Sequence, residues 1–432
     1  MKYKAEPSSS TVAAKRMPRG YKRYSDYKDS GVEWLGELPE HWEHKRLKFL
    51  CRITTGNKDT ENKVDNGEYP FYVRSQTVER INSYSYNGEA ILTAGDGVGV
   101  GKVFHYVNGR FDYHQRVYMF YSFKHAEGRY LFEYIKNQFY KVALAGEAKS
   151  TVDSLRLPLI QNFLIAIPQP KEQKSIANYL NKATAKIDTL IEKQTKLIEL
   201  LKEKRQAVIS SAVTRGLDAS VPMKDSGVEW LGKIPEHWDI KKFKYLFRIK
   251  KRISGQLGFD VLSITQQGIK VKDIESGQGQ LSSDYSKYQH VKKGDFAMNH
   301  MDLLTGFVDL SVFDGVTSPD YRVFSLDDKC SNAQFYLFYL QMGYLDKIFY
   351  PFGQGSSQLG RWRLPTDAFK EFYAPYPPKE EQELIEKHIR STLMKIDNLI
   401  TKSTQAIDLL KEKRAALISA AVTGKIDVRD AA

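Results

Sequence analysis

From about Ile176 to Val213 the apolar residues return at the spacing of one helical face, at Ile187, Leu190, Ile191, Leu197, Ile198, Leu201 and Val208, with charged residues between them. The same rhythm recurs at Ile396, Leu399, Ile400, Ile407, Leu410, Leu417 and Ala421. Each run predicts a helix of roughly 38 residues, or about 57 Å, too long for one small domain to cover. The two helices are expected to pack on each other. LKEKR occurs on both and reads as a solvated face carrying i,i+4 Glu/Lys pairs. Elsewhere the runs shorten. VNGRF (107–111) and FDGVT (313–317) set Asn-Gly and Asp-Gly between apolar, aromatic-rich stretches, which predicts a hairpin turn at each. FLIAIP (163–168) and KEFYAPYP (370–377) predict strands stopped by proline.

The chain repeats itself. DSGVEWLGELPEHWEHKRLKFLCRI from Asp29 returns as DSGVEWLGKIPEHWDIKKFKYLFRI from Asp225, identical at 17 of 25 positions and offset by 225 − 29 = 196. A second pair begins at Glu172 and Glu381, identical at 24 of 47 positions and offset by 381 − 172 = 209. Between these ends an offset of 206 aligns Gly88 with Gly294, Asp96 with Asp302, Gly109 with Gly315 and Arg116-Val117 with Arg322-Val323. At Arg156 and Arg363 it becomes 207, so insertions concentrate before Gly88. Two modules of one fold with different surfaces are expected, in an α+β class with a pseudo-two-fold internal repeat. That symmetry would make the long helices antiparallel.

Charge narrows the partner. Lys+Arg minus Asp+Glu is 65 − 52 = +13, which points toward a polyanion such as nucleic acid. With 41% hydrophobic and 27% charged residues the chain can bury cores and keep a wet surface, which excludes wholesale disorder. Cys51 and Cys330 are too few and too far apart for a disulfide framework or a cysteine zinc site, so a cytoplasmic location is expected. Residues 1–24 are basic and Ser-rich without the apolar centre of a secretory signal, and read as a loose tail. No stretch approaches ~20 apolar residues, so no membrane partner is expected.

Motifs for chemistry fail one after another. DGVGVGK (96–102) has Asp96 and Val103 where a phosphate loop needs Gly and Ser or Thr, and the dinucleotide fingerprint breaks at Phe104. It reads as a glycine loop that lets backbone approach another surface. Asp320 lies too close to Asp327-Asp328-Lys329 for a metal-dependent nuclease, and the first copy has no counterpart. PYPPKE (375–380) lacks the acid or amide that opens the tetrapeptide of an amine-methylating site. HExxH and GxSxG are missing from the sequence, and the nine histidines do not gather at metal-ligand spacing. His41-Trp42 and His237-Trp238, in the repeated PEHW, are read as packing residues at a domain junction. A chain without a plausible active site is expected to bind rather than react.

The whole layout resembles the specificity subunit of type I restriction-modification systems. The residues that carry the resemblance are GVEWLG..PEHW given twice, GDGVGVGK followed by YHQRV, KKGDFAMN followed by TSPDYRV, RLP before a strand, and PQPKEQ or PPKEEQ leading into KIDTLI/KIDNLI, LKEKR and AVT. It covers about residues 25–428. It implies a basic tail (1–24), a target-recognition domain (25–170), a first spacer helix region (171–218), a second recognition domain (219–378) and a second spacer helix region (379–428). Each recognition domain would read one half of a bipartite asymmetric site on double-stranded DNA, with the antiparallel helices as spacer. It further implies no catalysis and no cofactor in this chain. The partners implied are two methyltransferase subunits using S-adenosylmethionine, then motor-nuclease subunits using ATP and magnesium.

Base edges need Arg, Lys, Asn, Gln, Ser or His on exposed loops. The candidates are Arg74, Gln76, Lys102, His114, Gln115, Arg116, Lys149 and Ser150 in the first copy. In the second they are Gln266, Gln267, Asn299, His300, Tyr321, Arg322, Gln354, Ser356 and Ser357. Arg116 and Arg322, which both copies share, are also open to a structural or phosphate-bound role. Three alternatives differ in kind. A recognition subunit of a type II system would differ mainly in its partner, a stand-alone DNA-modifying enzyme would be stabilised by S-adenosylmethionine alone, and a coiled-coil scaffold would have no DNA affinity.

Overall fold

A computed structural model describes residues 21–143, 155–273, 284–355 and 362–431. They fall into two compact units, one made of residues up to Thr195 with Gln405–Ala432, the other of Lys196–Thr404. The division falls inside both long helices, so each unit holds the start of one helix and the end of the other.

Those helices run over Pro170–Arg215 and Lys379–Val422. Both exceed the predicted length because the EQ segments already belong to the first turn, where Glu172 in the first helix and Glu380 and Glu381 in the second complement the dipole; in the first helix Pro170 at the first position loses no hydrogen bond. In the first unit Arg414 Nε donates to Asp188 Oδ1 at 2.8 Å, and in the second Arg205 Nε lies 3.6 Å from Asp397 Oδ1. In each unit early residues of one helix share a core with late residues of the other: Ile176, Leu180 and Ile187 with Leu417, Ile418 and Ala421, and Ile385, Ile389 and Leu393 with Ile209 and Val213. The helices are therefore antiparallel, as the repeat predicts.

The first unit's main sheet has six strands in the order Arg52–Thr55, Val117–Tyr121, Tyr86–Ala94, Phe104–Tyr113, Tyr69–Tyr72, Glu79–Ile81. The second unit has Phe247–Lys250, Arg322–Leu326, Phe296–Met298, Val308–Leu310. The first four positions agree, which is the shared frame. Beyond them the first unit adds two strands, whereas the second builds separate pairs from Leu262–Thr265 with Gly268–Val271 and Gln289–Val291 with Gly315–Thr317. Most of the differing strands, Tyr69–Tyr72 and Glu79–Ile81 in the first unit and Leu262–Thr265, Gly268–Val271 and Gln289–Val291 in the second, lie before Gly88 or Gly294.

The hairpin expectation needs correction. Asn108-Gly109 is not a turn but the middle of the strand Phe104–Tyr113, with Gly109 (φ +139°) directly opposite Gly88 (φ +150°). Asp314-Gly315 joins two strands that pair with neighbours flanking residues 292–295. The true hairpin loops lie one arm earlier, at 95–103 and 299–307. The predicted strands are Leu164–Ile167 and Tyr373–Tyr376, each paired antiparallel with a strand of the repeated opener, Glu43–Arg46 or Asp239–Lys242.

The repeated PEHW has a structural role in both units, as expected. Glu172 accepts from Trp42 Nε1 at 3.1 Å and Tyr24 Oη at 2.7 Å, with His41 Nε2 at 2.9 Å. Glu381 Oε2 accepts from Trp238 Nε1 at 3.0 Å, with His237 Nε2 at 2.8 Å. The following glutamine ties the next element down. Gln173 Oε1 accepts from Glu127 N at 2.7 Å, and Gln382 Oε1 from Asn332 N at 2.8 Å, at the heads of helices Gly128–Gln138 and Ala333–Leu345.

Candidate nucleic-acid interface

In the first unit the glycine loop closes the hairpin between Tyr86–Ala94 and Phe104–Tyr113. A Cβ on Gly99 would stand 2.6 Å from the Arg74 carbonyl oxygen, and one on Gly95 2.9 Å from that of Arg116. Glycine there is what lets three loops meet, the close backbone approach that the sequence predicts. At their junction Arg74 Nη1 donates to Asp96 Oδ1 at 2.9 Å and Arg116 Nη1 to Asp96 Oδ2 at 3.0 Å. Burial pushes the Asp96 carboxyl up, but the hydrogen bonds from Arg74 and Arg116 outweigh it and hold the group below the usual carboxylate range. Gln76 Nε2 donates to the Lys102 carbonyl at 3.0 Å, and the Lys102 side chain is exposed. Gln115 Nε2 donates to Asp59 Oδ2 at 2.5 Å.

Arg74, Gln76, Lys102, Gln115 and Arg116 thus share one exposed face. His114 does not. Its ring is buried, Nδ1 accepts from Arg116 N at 2.9 Å, and Nε2 lies 3.7 Å from Asp59 Oδ1. Burial lowers the imidazole's affinity for a proton despite Asp59, so the neutral ring holds the 114–116 turn and presents no edge to a base. Lys149 and Ser150 lie outside the described residues.

In the second unit the loop 299–307 is built differently. Asp302 Oδ1 accepts from Leu304 N at 2.9 Å and Thr305 N at 3.1 Å, and a Cβ on Gly306 would stand 2.2 Å from the Asp302 carbonyl oxygen. Gln266 Nε2 reaches the Thr305 carbonyl at 3.4 Å. Leu303 N donates to Trp362 O at 3.0 Å and Leu364 N to His300 O at 2.9 Å, while Gln354 and Arg363 exchange backbone hydrogen bonds at 2.8 and 3.0 Å. Gln266, Asn299, His300 and Gln354 therefore sit on loops tied to one another. Asn299 turns its Oδ1 to Met301 N at 3.3 Å, and Gln267 Oε1 accepts from Lys270 Nζ at 2.5 Å. Tyr321 is half-buried against the cluster of Leu262, Ile264 and Ile269. Ser356 and Ser357 lie outside the described residues.

Arg322 is the second correction. Where Arg116 is exposed, Arg322 is buried, with Nη2 donating to Leu364 O at 3.0 Å and Thr366 Oγ1 at 3.3 Å and the guanidinium 4.6 Å from the Phe369 ring centroid. Burial pushes it down to about 10, and it is a core cation rather than a surface reader. His300 beside it is half-buried; burial first and Arg322 next push its imidazole down to about 3, so it is neutral across the physiological range.

An aromatic group at the far edge of the first sheet escaped the sequence reading. Tyr69 and Tyr84 meet at 5.0 Å between ring centroids, and Arg110 lies 5.1 Å over the exposed Tyr84. The available signal was Tyr at alternate positions 84 and 86, but which strand they face is set by pairing across the sheet. Among the described residues there is no group of three or more His, Cys, Asp or Glu that could hold a metal, and no helix is long and apolar enough to cross a membrane.

Residues 39–200 match the family model of the type I restriction modification DNA specificity domain. The chain is 23% identical over 418 residues to the type I restriction enzyme EcoDI specificity subunit of Escherichia coli, covering 90% of each. It is 24% identical over 447 residues to the type I restriction enzyme MjaVIII specificity subunit of Methanocaldococcus jannaschii, covering 94% of this chain and 98% of that one. Among solved structures, a chain described under complex assembly and conformational transition of the type I R-M system aligns with a TM-score of 0.64 at 13% identity, over 89% of this chain and 98% of that one. The HsdS subunit from Thermoanaerobacter tengcongensis aligns with a TM-score of 0.50 at 13% identity, over 90% and 98%. These two likenesses show the fold.

Proposed function

We propose that the chain is a specificity subunit of a type I restriction-modification system, as its likeness to such subunits supports, and that each of its units reads one half of a bipartite, asymmetric DNA target. The observation that carries the reading is that the units share a strand order and a hairpin frame but put different loops on it. One presents two arginines braced by Asp96; the other buries the equivalent arginine and presents Gln266, Asn299, His300 and Gln354. A common frame with divergent loops suits two readers of different sequences. Each guanidinium on Asp96 keeps further N–H donors for a guanine edge or a phosphate, and bracing lowers the entropy lost on contact.

The chain is a recognition component that leaves the chemistry to other subunits. It assembles with two methyltransferase subunits and then with motor-nuclease subunits in the cytoplasm, with S-adenosylmethionine, ATP and magnesium bound by those partners. The failed catalytic motifs support this division. The purified chain alone is expected to show neither nuclease nor methyltransferase activity and to gain methylation when a methyltransferase subunit is added. Replacing residues 54–170 by the equivalent region of a relative, and sequencing the methylated sites, tests the reading: one half-site should change and the other persist. A change in both, or in neither, would overturn independent readers.

A further inference from the structure

The repeated opener carries one feature that neither the core nor the reading loops use. Between the strand that pairs with Leu164–Ile167 and the first strand of the main sheet lies a single helical turn, Leu47–Phe49, matched in the second unit by Phe243–Leu246. With about three residues per turn, Leu47 and Leu50 face inward and are fully buried, as are Phe243 and Leu246. Positions 48 and 49, and 244 and 245, face outward. A polar side chain would suffice there, yet both copies place an aromatic: Phe49 is 62% exposed and Tyr245 66% exposed. The preceding lysine lies over each ring, Lys48 Nζ at 5.2 Å and Lys244 Nζ at 5.3 Å from the centroid.

The same scaffold presents both. Leu47 N donates to Phe163 O at 2.8 Å and Phe243 N to Phe372 O at 2.8 Å; Lys124 N donates to Leu50 O at 2.7 Å and Asp327 N to Leu246 O at 2.8 Å. One exposed aromatic means nothing by itself. The same one twice, at equivalent positions of modules whose reading loops differ, requires an occupant common to both.

Charge decides which occupant. In the second unit Lys242 and Lys244 are paired with Glu371 at 2.6 and 2.7 Å, and Arg248 with Asp327 at 2.6 Å. In the first unit the place of Glu371 is taken by Asn162, whose amide is committed to Pro158 O at 2.8 Å, and Arg46, Lys48 and Arg52 are exposed. A duplex backbone responds to net charge, and net charge is what the two patches do not share. What they share is an exposed aromatic ring on the same buried scaffold, which fits an apolar pocket on a protein.

We propose that Phe49 and Tyr245 are two equivalent docking points, each for one copy of the methylating partner subunit. This rests on the function proposed above and adds the surface. The test mixes the full chain, and the Phe49→Ala, Tyr245→Ala and doubly substituted variants, with a purified methyltransferase subunit of the same system. Native mass spectrometry reads the stoichiometry, and binding of each chain alone to duplex DNA is measured in parallel. The wild type should take up two partner copies, each single variant should hold one of them at least ten-fold more weakly, and the double variant should lose both, with DNA affinity of the chain alone unchanged within two-fold. Phe49→Tyr and Tyr245→Phe should assemble normally, since each copy already uses the other's ring. A double variant that still takes up two partners with unchanged affinity would overturn the docking surface while leaving the recognition function standing. Loss of DNA affinity in its place would give the patch to the duplex backbone. A wild-type chain that takes up no methyltransferase subunit would overturn the functional reading itself.

Discussion

Trp42 and Glu172 are 130 residues apart and joined by an indole hydrogen bond of 3.1 Å, and the duplication repeats that bond between Trp238 and Glu381 at 3.0 Å. The bond links the opener of each module to the first turn of the helix that follows it, so a module cannot tilt on its helix without breaking it. The two sites differ in wetness: the Glu172 side chain is 6% exposed and the Glu381 side chain 27%. Tyr24 adds a third donor to Glu172 and is itself covered by the guanidinium of Arg429, 5.0 Å from its ring.

That difference sets the first expectation. Glu172→Ala strands the buried Trp42 N–H and Tyr24 hydroxyl and should destabilise the first unit by about 2–4 kcal/mol, whereas Glu381→Ala should cost about 1–2 kcal/mol. Native-state hydrogen exchange, resolved by unit, separates the effects. Equal losses in both would mean that the third donor and the greater burial contribute nothing.

Arg116 and Arg322 occupy equivalent positions and should fail in opposite ways. Arg116→Ala leaves a half-buried Asp96 that Arg74 still neutralises, so folding stability should change little. If Arg116 reads a base edge, discrimination at one position of the first half-site should fall by about 1–3 kcal/mol. Arg322→Met removes donors to Leu364 O and Thr366 Oγ1 and should lower stability by about 1–3 kcal/mol, with loss of DNA binding only in proportion to unfolding. Thermal unfolding alongside competition binding with point-substituted duplexes distinguishes them. A stable Arg322→Met chain with altered specificity would return this residue to the reading surface.

His300 gives a pH dependence with a fixed sign. Its folded-state value, pushed down to about 3, lies below the ordinary value of 6.5. The unfolded chain therefore takes up the proton first as pH falls. The stability this neutral ring contributes is full above about pH 6.5 and is lost as pH falls from there toward 3. Solvent screening of the half-buried ring reduces the effect to about 1–2 kcal/mol by pH 4.5. His300→Gln should flatten that part of the stability profile, measured by urea unfolding between pH 4.5 and 7.5. A profile unchanged by the substitution would mean that the ring is protonated in the folded state.

What the sequence disclosed and what it hid follow from the range of the forces involved. The long helices, the Trp-bearing openers and the strands before Pro168 and Pro377 were legible because each rests on local periodicity or on a repeat visible in the chain. Asn108-Gly109 misled because the dipeptide suits a tight turn locally, while pairing of Gly88 with Gly109 across the ladder keeps it extended. Arg322 was opaque for a similar reason. Nothing in Tyr321-Arg322-Val323 distinguishes it from Gln115-Arg116-Val117, and its burial is imposed by Leu364, Thr366 and Phe369, about forty residues away. Candidate readers could be placed on loops by residue type, but which loops converge depended on close backbone approaches at Gly95, Gly99 and Gly306.

The last expectation concerns the glycines that end the long helices. Gly216 and Gly424 both adopt left-handed backbone, φ +75° and +69°, and both lie on the Pro-Trp pair of an opener. That placement puts the end of each helix against the module whose own helix begins there, and it makes the two sites comparable. They are not equally tight. A Cβ on Gly216 would meet Glu381 Oε1 at 3.2 Å and the Trp238 ring at 3.3 Å, and the glutamate can swing aside. A Cβ on Gly424 would stand 2.4 Å from Cδ of Pro39, a ring that cannot rotate away, with Trp42 at 3.3 Å behind it. Alanine at either position incurs the left-handed penalty of about 1 kcal/mol, but only at 424 must backbone also move. Gly216→Ala should therefore destabilise its unit by about 1–2 kcal/mol and Gly424→Ala by about 2–4 kcal/mol. The larger loss should appear as faster hydrogen exchange at Trp42 and along the 164–167 strand, within the unit that holds them. If the two substitutions cost the same, the Pro39 contact relaxes freely, and the backbone penalty alone accounts for glycine at both helix ends.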